Sequence, residues 1–120
     1  EPPPTGARVY NNSVYRSDSG GVRLLDASRS DKLIYNNISY SPAGGAIIGG
    51  TAGSYGANMT QNPLWVNPGA GDFHLQSGSP AIDAGVTGPV FDDWDGTTRP
   101  VNGDGANGAE YDIGPYEYTP

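Results

Sequence analysis

The chain has 120 residues, a quarter of them glycine (19) or proline (11), with no cysteine and a single lysine. This excludes a helical bundle, which needs rows of Leu, Ala, Glu and Lys; without a Gly-x-y period it also excludes collagen. The lack of cysteine rules out disulfides and thiolate metal sites, and a net charge of −7 argues against nucleic acid as a partner.

The remaining surplus of Gly, Asn, Ser, Thr and Tyr suits short strands joined by many turns in a single domain. No run approaches the roughly 20 apolar residues that a membrane-spanning helix needs, so no membrane span is expected. Charge is unevenly placed. Arg8, Arg16, Arg23, Arg29 and Lys32 outnumber the acids before residue 33, whereas Arg99 alone faces nine acids after it.

Residues 1–7 are a Pro-rich lead or linker with polyproline character. A self-similar pair follows. Val9-Tyr10-Asn11-Asn12-Ser13-Val14-Tyr15 is echoed by Ile34-Tyr35-Asn36-Asn37-Ile38-Ser39-Tyr40, and Gly20-Gly21-Val22 by Gly44-Gly45-Ala46. The two echoes differ by one residue in spacing, which reads as one position dropped between them. A period of this size marks stacked repeats.

Within each repeat the strand-like runs are short, and the joining turns lack the Asn-Gly or Asp-Gly signal of a hairpin. Parallel pairing of each run with its equivalent one coil on resolves this, at the usual strand spacing of about 4.8 Å. In that arrangement Val14 lies over Ile38, and Val22–Leu25 over Ala46–Gly49. Asn12 lies over Asn37 in a corner ladder of side-chain amides. The fold expected is all-β, a right-handed parallel β-helix of two to three coils over 8–85; an antiparallel sandwich is the alternative. Three Asn-x-Ser/Thr sequons, at Asn11, Asn37 and Asn58, fall at or near the repeated corner, and the ladder explains the first two better than glycosylation does.

Beyond Gly56 the repeat degrades. Leu64–Val66 reads as a short strand between prolines, and Asp72–Leu75 as another, with Phe73 and Leu75 on one face and His74 outward. Ser79–Gly85 reads as a helical turn or a third strand. Residues 86–110 are an acidic loop rich in Gly, Asp and Asn, and Tyr111–Tyr118 an aromatic closing strand. Together 86–120 form an irregular cap that finishes the end of the coil stack.

The segments NPLWVNPGAGDFHLQSGSPAIDAG (62–85), DWDGTTRP (93–100) and DIGPYEY (112–118) closely resemble, in order, the C-terminal end of secreted right-handed parallel β-helix proteins. These are the pectin-lyase-like superfamily, of the choice-of-anchor Q domain type. Asn62, Trp65 and Pro115 stand where that pattern usually has Asp, Phe and Ala. The resemblance implies an extracellular or cell-surface chain forming the last coils and cap of a longer helix. Together with electrostatics it implies that Arg99 pairs with Asp83 or Asp112, pinning the tail.

Four sets of side chains are candidates for function. Asp93, Asp95 and Asp104, set among Asn and Gly, supply hard oxygen ligands suited to calcium; the alternative is a solvated loop in which Asp and Asn cap their own backbone. Tyr35, Tyr40, Trp65 and Trp94 offer flat faces for polysaccharide, or equally cap the coil ends. Arg23, Arg29 and Lys32 are a weak match to a lyase base, and His74 has no nucleophile near it in sequence. The reading that results is a non-catalytic terminal part of an extracellular β-helix, acting in structure, assembly or glycan contact. Its first coil, residues 8–25, presents open strand edges that preceding coils or a neighbouring copy complete. A fragment of a carbohydrate-active enzyme and a calcium-dependent adhesion module are the alternatives.

Overall fold

The structure is a computed structural model that describes residues 7–16, 22–23, 33–42, 47–48 and 54–120. Most of the Pro-rich lead, the Gly20-Gly21 and Gly44-Gly45 turns, Arg29 and Lys32 lie outside the described residues. Those described are all-β, with one 3-10 turn at Pro68–Ala70 and no α-helix.

The first repeat supplies β1 (Arg8–Tyr10), β2 (Ser13–Tyr15) and β3 (Val22–Arg23). The second supplies β4 (Leu33–Tyr35), β5 (Ile38–Tyr40) and β6 (Ile47–Ile48), and the third β7 (Ser54–Gly56). Tyr and β-branched residues dominate the first two repeats' strands, and β1, β2 and β4 give way to Asn11, Arg16 and Asn36. Pairing is parallel between equivalents: β1–β4–β7 in one sheet, β2–β5 in a second and β3–β6 in a third. Ile38 extends the second sheet through a parallel bridge to Met59.

The register is uniform where the sequence suggested a slip. Arg8 pairs Leu33, Ser13 pairs Ile38 and Val22 pairs Ile47, the same 25-residue step that joins Asn12 to Asn37. Val14 therefore lies over Ser39, not Ile38, and Val22 over Ile47, not Ala46. Shifting a strand by one residue turns its whole side-chain set to the other face, and the Asn ladder holds the register against that shift. From the second repeat to the third the step shortens to the 21 residues between Asn37 and Asn58.

Parallel pairing gives way after Met59. β8 (Trp65–Asn67) and β9 (Asp72–Leu75) pair antiparallel around the 3-10 turn, and among the described residues parallel pairing reaches no further than Met59. Pro80–Asp83 is a turn, and residues 111–118 run as irregular chain where a closing strand was expected. Three of their N–H groups go to side chains: Asp112 N–H to Glu117, Glu117 N–H to Asp93, and Tyr118 N–H to Asp112.

The tail also lies somewhere other than expected. Side chains alternate along a strand, so Ser13, Tyr15, Ile38 and Tyr40 share one face of the β2–β5 sheet. On that face Ile38, fully buried, packs with Met59, Trp65, Leu75, Ala81 and Ile113. Tyr15 and Tyr40 meet the Trp65 ring edge-on at 5.7 and 6.3 Å, and Phe73 meets it at 4.9 Å. Residues 60–120 thus cover a flank that runs across all three repeats. Burying a side chain such as Ile38 there contributes about 1.5–3 kcal/mol. Gly114 permits the close approach: a Cβ on it would sit 2.9 Å from Ile38 Cδ1, and its φ of +100° suits glycine alone.

Candidate functional site

The junction between the repeats and the tail is built on consecutive asparagines. In each of the first two repeats the turn between the two strands opens with an Asn in the left-handed region, Asn11 at φ 54° and Asn36 at φ 59°; Ala57 at φ 51° holds the third position. Asn tolerates this conformation better than most residues. The second Asn of each turn forms the ladder. Asn12 Nδ2 donates to Asn37 Oδ1 at 2.9 Å, and Asn37 Nδ2 donates to Asn58 Oδ1 at 3.1 Å. The amides of Asn12, Asn37 and Asn58 also donate to the carbonyls of Tyr10 and Val9 in β1 and of Ile34 in β4. Asn58 was singled out in sequence only as a sequon, yet it is the third rung.

The first Asn of each turn reaches the other way, into the tail. Asn11 Nδ2 donates to Gly114 O at 3.1 Å. Asn36 Nδ2 donates to Val86 O, and Val86 N–H donates back to Asn36 Oδ1, both at 2.8 Å. Gly114 N–H donates to Asn36 O. Asn11 and Asn37 are buried and bonded, as these contacts require, so neither presents a free sequon amide.

The tail has a charged interior of its own. Arg99 is buried, and its carboxylate partner is Glu117, with Nη1 donating to Oε2 at 2.9 Å; it is neither Asp83 nor Asp112. Arg99 also donates to the carbonyls of Asp92, Asp112 and Gly114. The two expected partners serve backbone instead. Asp112 accepts from the N–H of Asp83 and of Tyr118; Asp83 accepts from the N–H of Gly103, Asp104 and Glu110. The chain geometry leaves them no turn toward the guanidinium, because each already closes a loop. Burial pushes the Asp112 carboxyl up to about 7, against the lowering effect of its two N–H donors. Burial raises Glu117 as well, with the N–H groups of Asp112 and Val101 and the Arg99 charge pulling the other way.

Of the three expected metal ligands, Asp93 is buried and accepts three backbone N–H groups, those of Asp95, Thr97 and Glu117. Asp95 instead meets His74, and Asp104 caps the N–H of Ala106. The three are not brought together, and among the described residues no group of three or more His, Asp or Glu is set to hold a metal ion. The donor set is one of Asx turns.

His74 is held on both sides. Nδ1 lies 2.6 Å from Asp72 and Nε2 lies 2.6 Å from Asp95, and the ring stacks on Tyr116 at 3.8 Å. Carboxylates only accept, so both ring nitrogens donate and the imidazolium is the favoured form. The bonds to Asp95 and then Asp72 raise the His74 pKa, and the bond to His74 lowers that of Asp72. Local alternation correctly put His74 off the Phe73–Leu75 face; Asp95, 21 residues on, had no local signal.

The aromatic candidates separate. Trp65 is only 4% exposed and belongs to the core, so it offers no sugar platform. Tyr40 is half-buried against it. Tyr35 stacks on Tyr10 at 6.0 Å with nearly parallel planes, and lies across Gly56, where a Cβ would meet its ring at 3.0 Å. Both faces of Tyr35 are therefore taken. Trp94 is 81% exposed and borders a groove of about 310 Å³ with Tyr10, Asn12, Val90, Asp92 and Pro115. Of the cations suggested for a lyase base, Arg29 and Lys32 lie outside the described residues. Comparison with protein-family models, curated proteins and solved structures finds no match.

Proposed function

We propose that this chain is the terminal part of a right-handed parallel β-helix in an extracellular protein, and that it acts in structure and assembly instead of catalysis. The observation that carries this is the in-register stacking of Asn12, Asn37 and Asn58, joined to parallel strand pairs one repeat apart. Stacked repeats bury a shared core only when each has a neighbour. Residues 60–120 clamp the three repeats from one flank.

Among the described residues, β1 is the outer strand of its sheet and β2 has β5 as its strand partner. Main-chain edges of this kind template a further strand. The first repeat is therefore completed by preceding coils or by a neighbouring chain. Adding a copy of residues 8–32 ahead of the first repeat tests this directly. The extended protein is expected to melt higher, with slowed amide exchange in β1 and β2. Unchanged melting and exchange, with β1 and β2 amides fast in both proteins, would overturn the reading.

A further inference from the structure

We infer that the groove between the first repeat and the tail is a binding site for an uncharged saccharide, with Trp94 as the platform for the sugar ring. Trp94 is 81% exposed and Phe91, three residues before it, 71% exposed, on a loop whose backbone is hydrogen-bonded at several points. Trp94 N–H donates to Pro115 O, Asp93 takes three N–H groups, Gly96 N–H returns to Asp93 O, and Arg99 Nε holds Asp92 O. The indole is thus presented on a fixed backbone, which lowers the ordering cost of binding.

The rim chemistry selects the ligand. An indole face is flat and apolar, matching the C–H face of a pyranose, while a polar rim fixes orientation. Asp92 is exposed beside it, and no hydrogen bond to its carboxylate is present among the described residues. That carboxylate accepts from ligand hydroxyls. The one cation at the groove, Arg99, is consumed by Glu117 and three carbonyls, so nothing there meets a ligand carboxylate, and Asp92 repels one. A cationic ligand would want a cage of several faces. Here Tyr10 has one face against Tyr35, and Trp94 stands as a single open plane.

The inference does not rest on the β-helix reading and is tested separately. The full chain is titrated with cellohexaose, xylohexaose, mannohexaose and chitohexaose as uncharged probes, with trigalacturonate as the acidic probe and tetralysine as the cationic one. Tryptophan fluorescence is the readout: Trp65 is buried, so the change reports Trp94. A saturable blue shift is expected with at least one uncharged probe, lost in Trp94→Ala and weakened at least fivefold in Asp92→Asn. Trp94→Ala, at an exposed position, should melt with the unmodified chain. No saturable shift with any uncharged probe, a shift with trigalacturonate or tetralysine alone, or a shift that survives Trp94→Ala would each overturn the inference.

Discussion

The side chain of Asn36 pairs with the backbone of Val86 as one strand residue pairs with another, giving and receiving a hydrogen bond at 2.8 Å each. The two are 50 residues apart, and Asn36 is fully buried in a left-handed conformation. Its one side chain closes the tail onto the repeats without a strand. Gly85 beside it leaves the room: a Cβ there would sit 2.7 Å from Tyr111 O and 2.9 Å from Asn36 Oδ1.

Replacing Asn36 with Ala leaves the N–H and carbonyl of Val86 without these partners. Val86 is 40% exposed, so water partly replaces the lost partners; two hydrogen bonds at about 0.5–1.5 kcal/mol each, plus about 1–2 kcal/mol for Ala in the left-handed region, give an expected loss of about 2–5 kcal/mol in urea unfolding. Asn36→Gly is the control. It relieves the left-handed backbone yet loses the same bonds, and it should recover only about 1 kcal/mol of the loss. A Gly variant as stable as the unmodified chain would show that the backbone, not the amide, matters.

Arg99 and Glu117 form a buried pair in which removing one partner strands the other. Arg99→Ala is expected to cost about 3–5 kcal/mol. Arg99→Lys should recover little of it, because an ammonium point charge cannot reach Glu117 and three carbonyls in different directions. Denaturant midpoints of the two variants check this, and near-native stability of the lysine variant would refute it.

Stability should fall as pH rises from about 4 to above 7. Asp112 titrates at about 7 in the folded chain against 3.8 when unfolded. Between these values the native state holds the extra proton, so unfolding free energy declines with pH and flattens above the folded value. Glu117, also raised by burial, acts in the same sense from its own ordinary value upward. His74 adds to it, because its raised pKa gives stability that is present below 6.5 and lost as pH climbs through the folded value. Asp72, lowered by its bond to His74, opposes the trend only at the acid end. Urea unfolding in a pH series should show the decline, and Asp112→Asn should reduce its slope. A rise in stability across pH 5–7 would contradict it.

Ala57 occupies the left-handed corner that Asn11 and Asn36 fill in the other repeats. A Cβ in that conformation costs roughly 1–2 kcal/mol, partly offset by the entropy that glycine loses on folding. Ala57→Gly is therefore expected to stabilise by about 0.5–1 kcal/mol, seen as a higher melting temperature. Destabilisation would show that the Ala57 methyl packs against something of greater worth.

What the sequence by itself determined is local and periodic. The doubled Val/Ile-Tyr-Asn-Asn run was enough to mark the repeat, the parallel stacking of equivalents and the Asn12–Asn37 rung, because identical short strands and turn amides stack best on copies of themselves. Tertiary structure alone decided the rest. The one-residue difference between the two echoes suggested a slip that the stacked amides do not permit, since the side chains would change faces. Arg99 had nine acids to choose among, and charge does not say which one the backbone turns toward it; Glu117 was within reach once Asp83 and Asp112 had closed loops of their own. The tail's place on the flank depended on Gly114 and Gly85 letting two backbones meet, and His74 found Asp95 only because that loop folds over β9. Such long-range pairings have no period to read, and are set by which groups remain unpaired after the chain has packed.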